Sequence, residues 1–445
     1  MKPFLTLLFI TSALFTFGQR FDNNKVNFQY IQFPLVPVKG VSNYNTTMVC
    51  AYEQKVQQMK QGHQNALNAL ELNYQNDVAN FINDSIAAEN EYQIAAVKYI
   101  DDLQKAEVDY KNAMKAYNKH VSALIATGAP NNLAAPMKQF VAKPTKRTVN
   151  RPIKGKISEP YYPKIFDWDK LKTNYVQIEG LNELNENAIQ VILTFNGIEL
   201  GSNSVKETKK TTKTEQGDTI IVKKYIGTIK GRHPFKVQVF SPDGTTLMDE
   251  DFAGSMGYTS NSTSEMNSRQ EANDMLNQTA FLEGLENQIM RTNLSNLKKV
   301  LNDRFGFVRK SRSTNIRMYF HKKMNYPEYS NAYQSILMAY PNLKDRNSRA
   351  ALLEHLNAAI QEWENAMAQS DPNDKKARIN QKVSKFTCLM LAEAYMWKDD
   401  FNNADAYIAR LKSMNPKMNE KKWMQELEVL LASQKRRINA YNNLN

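Results

Sequence analysis

Cysteine is almost missing from this chain: Cys50 and Cys388 are the only two in 445 residues. A disulfide framework is therefore excluded, and the fold must be held by its core. Both cysteines sit in helical patterns and are expected as buried thiols, with one long-range bridge between them as the alternative. Histidine is also scarce, with five in the chain. His63, His120, His233, His321 and His355 are scattered, and none stands in a His-Glu-x-x-His spacing. Neither a glycine-rich phosphate loop nor a Gly-x-Ser-x-Gly elbow occurs. Glu354 and His355 are neighbours, but on a helix adjacent side chains point about 100° apart. The carboxylates Asp167/Asp169 and Asp249-Glu250-Asp251 could meet Ca²⁺ only with added backbone oxygens, and a solvated strand face is the expected reading. No catalytic, cofactor or metal site is expected, and the chain is not read as an enzyme. Long apolar runs are missing too, except at the start. There Lys2 precedes a run from Phe4 to Phe17 with small residues before Gln19, the pattern of a cleaved secretory signal over residues 1–18. That run is short of the ~20 apolar residues that a membrane span needs, so no transmembrane segment is expected.

What the chain does have is lysine, asparagine and a formal charge of +13. The two Asp-Ser/Thr-Ile triplets, Asp84-Ser85-Ile86 and Asp218-Thr219-Ile220, resemble the O-glycosylation sequon of Bacteroidota. The resemblance implies modification at Ser85 and Thr219. Together with the signal it implies a periplasmic address, with association to the outer membrane.

Composition divides the rest. Residues 19–43 alternate Val26, Phe28 and Tyr30 with polar neighbours and read as a strand that should join a β-domain elsewhere. Residues 44–126 carry no proline. Tyr92, Ala96, Tyr99, Leu103, Ala106, Tyr110, Ala113 and Tyr117 recur there at spacings of four and three, a heptad seam that wants a partner helix. One helix of that length would run ~120 Å. Asp84 or Ser85 can cap a new helix, so an antiparallel coiled-coil hairpin with its tip near 83–86 is expected. A continuous helix paired with another subunit is the alternative. Residues 127–165 are a basic, proline-rich linker, expected to be extended. Residues 166–254 alternate with period two around an Asp243-Gly244 turn and suggest an immunoglobulin or fibronectin III type sandwich, with "KETKKTTKTEQGD" as a hairpin or loop. A Gly/Ser/Asn-rich link, 255–269, leads into an all-helical region, 270–445. The fold class is thus multidomain α+β.

Within the last region "LAEAYMWKDDFNNADAYIARLKSMNP", residues 391–416, resembles the tetratricopeptide repeat, whose unit is a pair of helices. Leu391, Ala392 and Tyr395 match its first helix, Phe401, Ala404, Ile408 and Leu411 its second, and Pro416 its end. Lys398-Asp399-Asp400 departs from the Gly-Asp turn usual in the family. Small Ala392 and Ala404 would let the helices approach closely. The resemblance implies a surface for protein partners. The expected function is a non-enzymatic periplasmic scaffold or adaptor in a cell-envelope complex of outer-membrane assembly, secretion or gliding type. A glycan or cell-wall binder is the alternative, using the sandwich and the basic linker against an anionic envelope polymer or lipid headgroups. Nucleic acid is not an expected partner of an exported chain.

Overall fold

The computed structural model describes residues 20–128, 130, 134–213, 219–321 and 323–444. The signal segment and Asp218 lie outside the described residues. The chain is mixed α+β in two units: residues up to Tyr52 with those from Pro163 onward, and Glu53–Tyr162. Among the described residues no helix is long and apolar enough to cross a membrane.

In the first unit, β1 (Arg20–Gln32) and β2 (Asn43–Cys50) precede the excursion into the second unit, whose one helix is α1 (Glu53–Thr127). Then follow α2 (Trp168–Tyr175), β3 (Asn182–Glu183), β4 (Ala188–Phe195), β5 (Glu199–Lys213), β6 (Thr219–Arg232), β7 (Phe235–Phe240) and β8 (Thr246–Asp251). A mixed five-stranded sheet runs β3-β2-β4-β7-β8, with β2 parallel to β4. Val191, Leu193 and Phe195 of β4 and Phe235, Val237 and Val239 of β7 fill one face of it and are buried. Alternation of period two puts them there. Next come α3 (Ala253–Met256), β9 (Thr259–Ser262), α4 (Arg269–Leu276) and α5 (Thr279–Phe305). β9 joins β5 and β6 in a second sheet. Gly227 of β6 leaves the room that α4 uses, since a Cβ there would stand 2.9 Å from the Ala272 carbonyl oxygen.

The remaining chain is β10 (Val308–Phe320), α6 (Pro327–Ala339), 3₁₀ turns at Tyr340–Lys344 and Arg346–Ser348, α7 (Arg349–Ala368), α8 (Gln381–Trp397), α9 (Phe401–Ser413) and α10 (Met418–Asn442). Each of these helices packs on a helix next to it in sequence. β1 and β10 form an antiparallel ribbon, Arg20 opposite Phe320 and Gln32 opposite Val308. Its inward face sets Val26, Phe28 and Tyr30 into the helical core beside Tyr340 and Trp397.

The structure corrects several expectations about this unit. β1 does not join the β-domain; β10, inside the region read as all-helical, supplies its partner. The strand that does join the five-stranded sheet is β2, within residues read as helix, where β-branched Thr46, Thr47 and Val49 favour extended backbone. The 255–269 link contains α3 and β9. The charged stretch from Lys206 to Lys213 runs along β5 and pairs antiparallel with β6, the hairpin of the two readings offered for it, and residues 214–218 lie outside the described residues. No disulfide joins Cys50 and Cys388. Cys50 lies in β2, not in a helix, and burial pushes the Cys388 thiol up to about 12, leaving it a packing group.

The second unit corrects the hairpin. α1 is continuous through residues 83–86, where exposed Asp84 caps nothing because the helix simply runs on. The least exposed stripe, with Ala88 and Ala106 buried, is covered by no second helix among the described residues. The basic linker returns along α1 instead: Lys138, Lys146 and Lys154 pair with Glu107, Glu89 and Glu71. The half-buried stripe follows the helical period 3.6 rather than the heptad period 3.5: Ala113 of the expected seam is exposed and Met114 takes its place. Each lysine holds its glutamate below the usual carboxylate range.

An irregular segment between α7 and α8 is fastened by Arg378, which donates to both Glu328 oxygens at 3.0 and 2.6 Å and to the Asn325 carbonyl at 2.8 Å. The guanidinium lowers the Glu328 pKa from its ordinary 4.5. A carboxyl whose folded pKa is depressed adds stability above its unfolded value, and that stability is lost as pH falls through the folded one. The wild type should therefore lose stability more steeply than Glu328→Gln as pH drops below about 4.5. Acid titration of chemical denaturation midpoints checks this, and parallel curves would refute it.

Candidate functional site

The buried titratable groups act as fasteners. His233 Nε2 lies 3.5 Å from Glu286 Oε1, and both side chains have no exposed surface. The second Glu286 oxygen accepts from the Lys164 backbone N–H at 3.0 Å, Asn293 donates to the His233 carbonyl at 3.3 Å, and the Tyr52 hydroxyl donates to the Lys164 carbonyl at 2.5 Å. Four chain segments, at Tyr52, Lys164, His233 and α5, are tied together in the buried interior. Glu393, also buried, accepts from Arg312 at 2.9 Å and Thr314 at 2.6 Å, joining α8 to β10. Asp167 caps α2 by accepting from the Lys170 N–H, and Asp249 pairs with Lys236. Glu354 is exposed beside half-buried His355 on α7. Among the described residues no three His, Cys, Asp or Glu side chains stand together as a metal site.

Among several accessible clefts, one of about 250 Å³ is lined by Tyr30, Phe33, Arg346, Arg349, Trp397 and Tyr441 among others. Its lining comes from β1 and the residue Phe33 after it, the 3₁₀ turns, the start of α7, the end of α8 with the turn that follows, and the second half of α10. Phe33, Phe307 and Tyr441 gather with ring centroids 4.9 to 6.1 Å apart. The Arg346 guanidinium stands 4.3 Å from the Phe307 centroid and also donates to the Tyr441 hydroxyl. Aromatic faces attract a cation, so this arginine is held while remaining exposed.

Arg349 donates to the carbonyls of Trp397 and Lys398 at 3.0 and 2.9 Å, closing the C-terminus of α8. It also pairs with Asp399 at 2.5 Å. Asp399 adopts φ +68°, the left-handed conformation for which glycine is the common choice. Burial raises its pKa although Arg349 opposes the shift. Asp400 then caps α9 by accepting from the Asn403 N–H at 3.2 Å.

The eight residues read as helix-pair packing fall together. Leu391, Ala392 and Tyr395 of α8, Phe401, Ala404, Ile408 and Leu411 of α9, and Pro416 after it are all buried. Tyr395 and Tyr407 stack at 5.7 Å, and both hydroxyls donate to Glu364 of α7. Ser85 is half-buried on α1, and Thr219 is exposed at the start of β6. Of the basic linker offered for an anionic polymer, Lys138, Lys146 and Lys154 meet glutamates of their own unit, while Lys143, Arg151 and Lys156 are exposed. Phe33, Phe307, Arg346 and Tyr441 carried no signal in the sequence, because four positions so far apart share no spacing. Only the Lys398-Asp399-Asp400 departure pointed at the cleft. Comparison with protein-family models, curated proteins and solved structures found no match for this chain.

Ala404 is buried and Ala406 exposed on the same helix. Ala404→Leu should overpack the α8–α9 contact and cost about 1–3 kcal/mol. Ala406→Leu should change stability little. Thermal melts of the two variants decide, and equal shifts would mean that the crossing is not close-packed.

Proposed function

We propose that this chain is a non-enzymatic scaffold or adaptor of the periplasm, which binds protein partners in a cell-envelope complex. The cleft carries the reading. Its lining of tyrosine, tryptophan, phenylalanine and exposed arginine is the composition that anchors partner side chains at protein interfaces. Buried Glu286 and Glu393 meanwhile hold chain segments together, and Cys388 is a packing group. On this reading α8 and α9 are a tetratricopeptide-like helix pair, with α6–α7 and α10 as more distant relatives of the same unit. The two sheets are an immunoglobulin-like module. The signal segment and the two Asp-Ser/Thr-Ile triplets support a Bacteroidota-type envelope address. Retention of partners from solubilised envelope tests the reading. Wild type should hold stoichiometric proteins, and Arg346→Ala should release them without a shift in melting temperature. Retention on isolated peptidoglycan, unchanged by Arg346→Ala, would favour a cell-wall binder instead.

A further inference from the structure

The strap and the helix of the second unit share a period. Cut every 18 residues, α1 reads EQKVQQMKQGHQNALNAL, ELNYQNDVANFINDSIAA, ENEYQIAAVKYIDDLQKA and EVDYKNAMKAYNKHVSAL. The first position is Glu53, Glu71, Glu89 and Glu107. The fourth is Val56, Tyr74, Tyr92 and Tyr110; the eleventh is His63, Phe81, Tyr99 and Tyr117; the last is Leu70, Ala88, Ala106 and Leu124. Cut every eight residues from Pro136, the strap reads PMKQFVAK, PTKRTVNR and PIKGKISE, and Pro160 opens a fourth octad.

The structure locks one period to the other. The first-position glutamates of successive helical blocks take the third-position lysines of successive octads, in reverse order: Glu107 with Lys138, Glu89 with Lys146, Glu71 with Lys154. Pro136, Pro144 and Pro152 are half-buried, as are Val141 and Val149 at the sixth position. A Cβ on Gly155 would lie 3.2 Å from Leu70, a last-position residue. Geometry explains the two numbers. Eighteen helical residues make five whole turns and rise about 27 Å, returning to the same face. Eight extended residues cover about 25–27 Å. Proline costs the strap nothing, because the strap pairs with no strand and has no ladder bond to lose. The array also has distinct ends. Tyr162 occupies the lysine position of the fourth octad and takes Lys60 over its ring at 5.7 Å, while Ile125 stands where a further glutamate would fall.

We propose that residues 53–162 are a tandem array of one module, 18 helical residues clamped by 8 extended ones, and that the unit is a spacer whose length is set by the number of modules. Four blocks of helix hold its far end about 110 Å from the end where the chain enters and leaves. The proposal does not depend on the scaffold reading of the cleft.

Deletions in the full-length chain test it, with zero-length carbodiimide coupling of lysine to glutamate as the register readout. Removing residues 89–106 together with 146–153 takes out one module. It should keep both the Lys138–Glu107 and Lys154–Glu71 cross-links, leave the melting temperature within a few degrees, and shorten the distance between labels at Gln75 and Asn112 by about 27 Å. Removing 146–153 alone leaves eight residues to span about 54 Å, so the two cross-links cannot coexist in one molecule. Duplicating the same two segments should lengthen the label distance by about 27 Å and keep every cross-link. Loss of either cross-link in both the module deletion and the duplication, or its survival alongside the other after the strap-only deletion, would overturn the proposal.

Discussion

Phe28→Ala should destabilise the chain by about 3–5 kcal/mol, as expected for a buried aromatic truncated in a packed core. Phe28 is buried, with its ring 4.4 Å from Tyr340 and 5.8 Å from Trp397. A strand lying on the β-domain would give a different result, because its loss would leave the helices untouched. Phe140→Ala is the control: at 88% exposure it should cost close to nothing. Denaturant unfolding followed by tryptophan emission reports directly, since Trp397 contacts Phe28. A cost for Phe28→Ala no larger than that for Phe140→Ala would remove β1 from the helical core. The Tyr340 hydroxyl beside it is buried without a hydrogen-bond partner among the described residues. Tyr340→Phe should therefore be neutral or stabilising.

Glu393→Ala should cost a similar amount, about 3–5 kcal/mol, for an electrostatic reason. Glu393 is buried, and its carboxylate takes one hydrogen bond from Arg312 and another from Thr314. Removing it strands a guanidinium whose side chain is only 20% exposed. Replacing both partners by apolar residues, Glu393→Leu with Arg312→Met, should recover most of the loss, because the penalty comes from the unpaired charge. Chemical denaturation of the single and double variants separates the cases. If the double variant is as unstable as Glu393→Ala, packing and not charge is responsible.

Local patterns were legible and long-range pairings were not. The strand at Val26, Phe28 and Tyr30 declared itself by alternation, yet nothing in its neighbourhood named β10 as its partner, since register belongs to residues nearly three hundred positions away. β10 itself, VRKSRSTNIRMYF, hid its strand character behind four cationic residues between helical stretches. The seam on α1 was visible, but its small and aromatic residues at four-three spacing fit a heptad over thirty residues. The structure shows that 3.6 is the period, because Met114 and not Ala113 continues the half-buried stripe. The prolines that marked residues 127–165 as extended could not show that the segment lies on the helix. In the cleft, Asp399 was noticed as a departure from a turn, and its pairing with Arg349 needed the fold.

The β1–β10 ribbon sets an order of events as the chain emerges, N-terminus first, into the compartment where it folds. Arg20–Gln32 is made early, but its antiparallel neighbour Val308–Phe320 is not. At 5–20 residues per second the wait is about 15–60 s, during which an apolar strand edge stays open. Glu53–Tyr162, whose contacts are between residues nearer in the chain, can close within that interval. Emergence from the N-terminus thus leaves the first strand waiting while Glu53–Tyr162 closes, and a chaperone of the compartment where the chain folds would act by shielding that extended apolar segment.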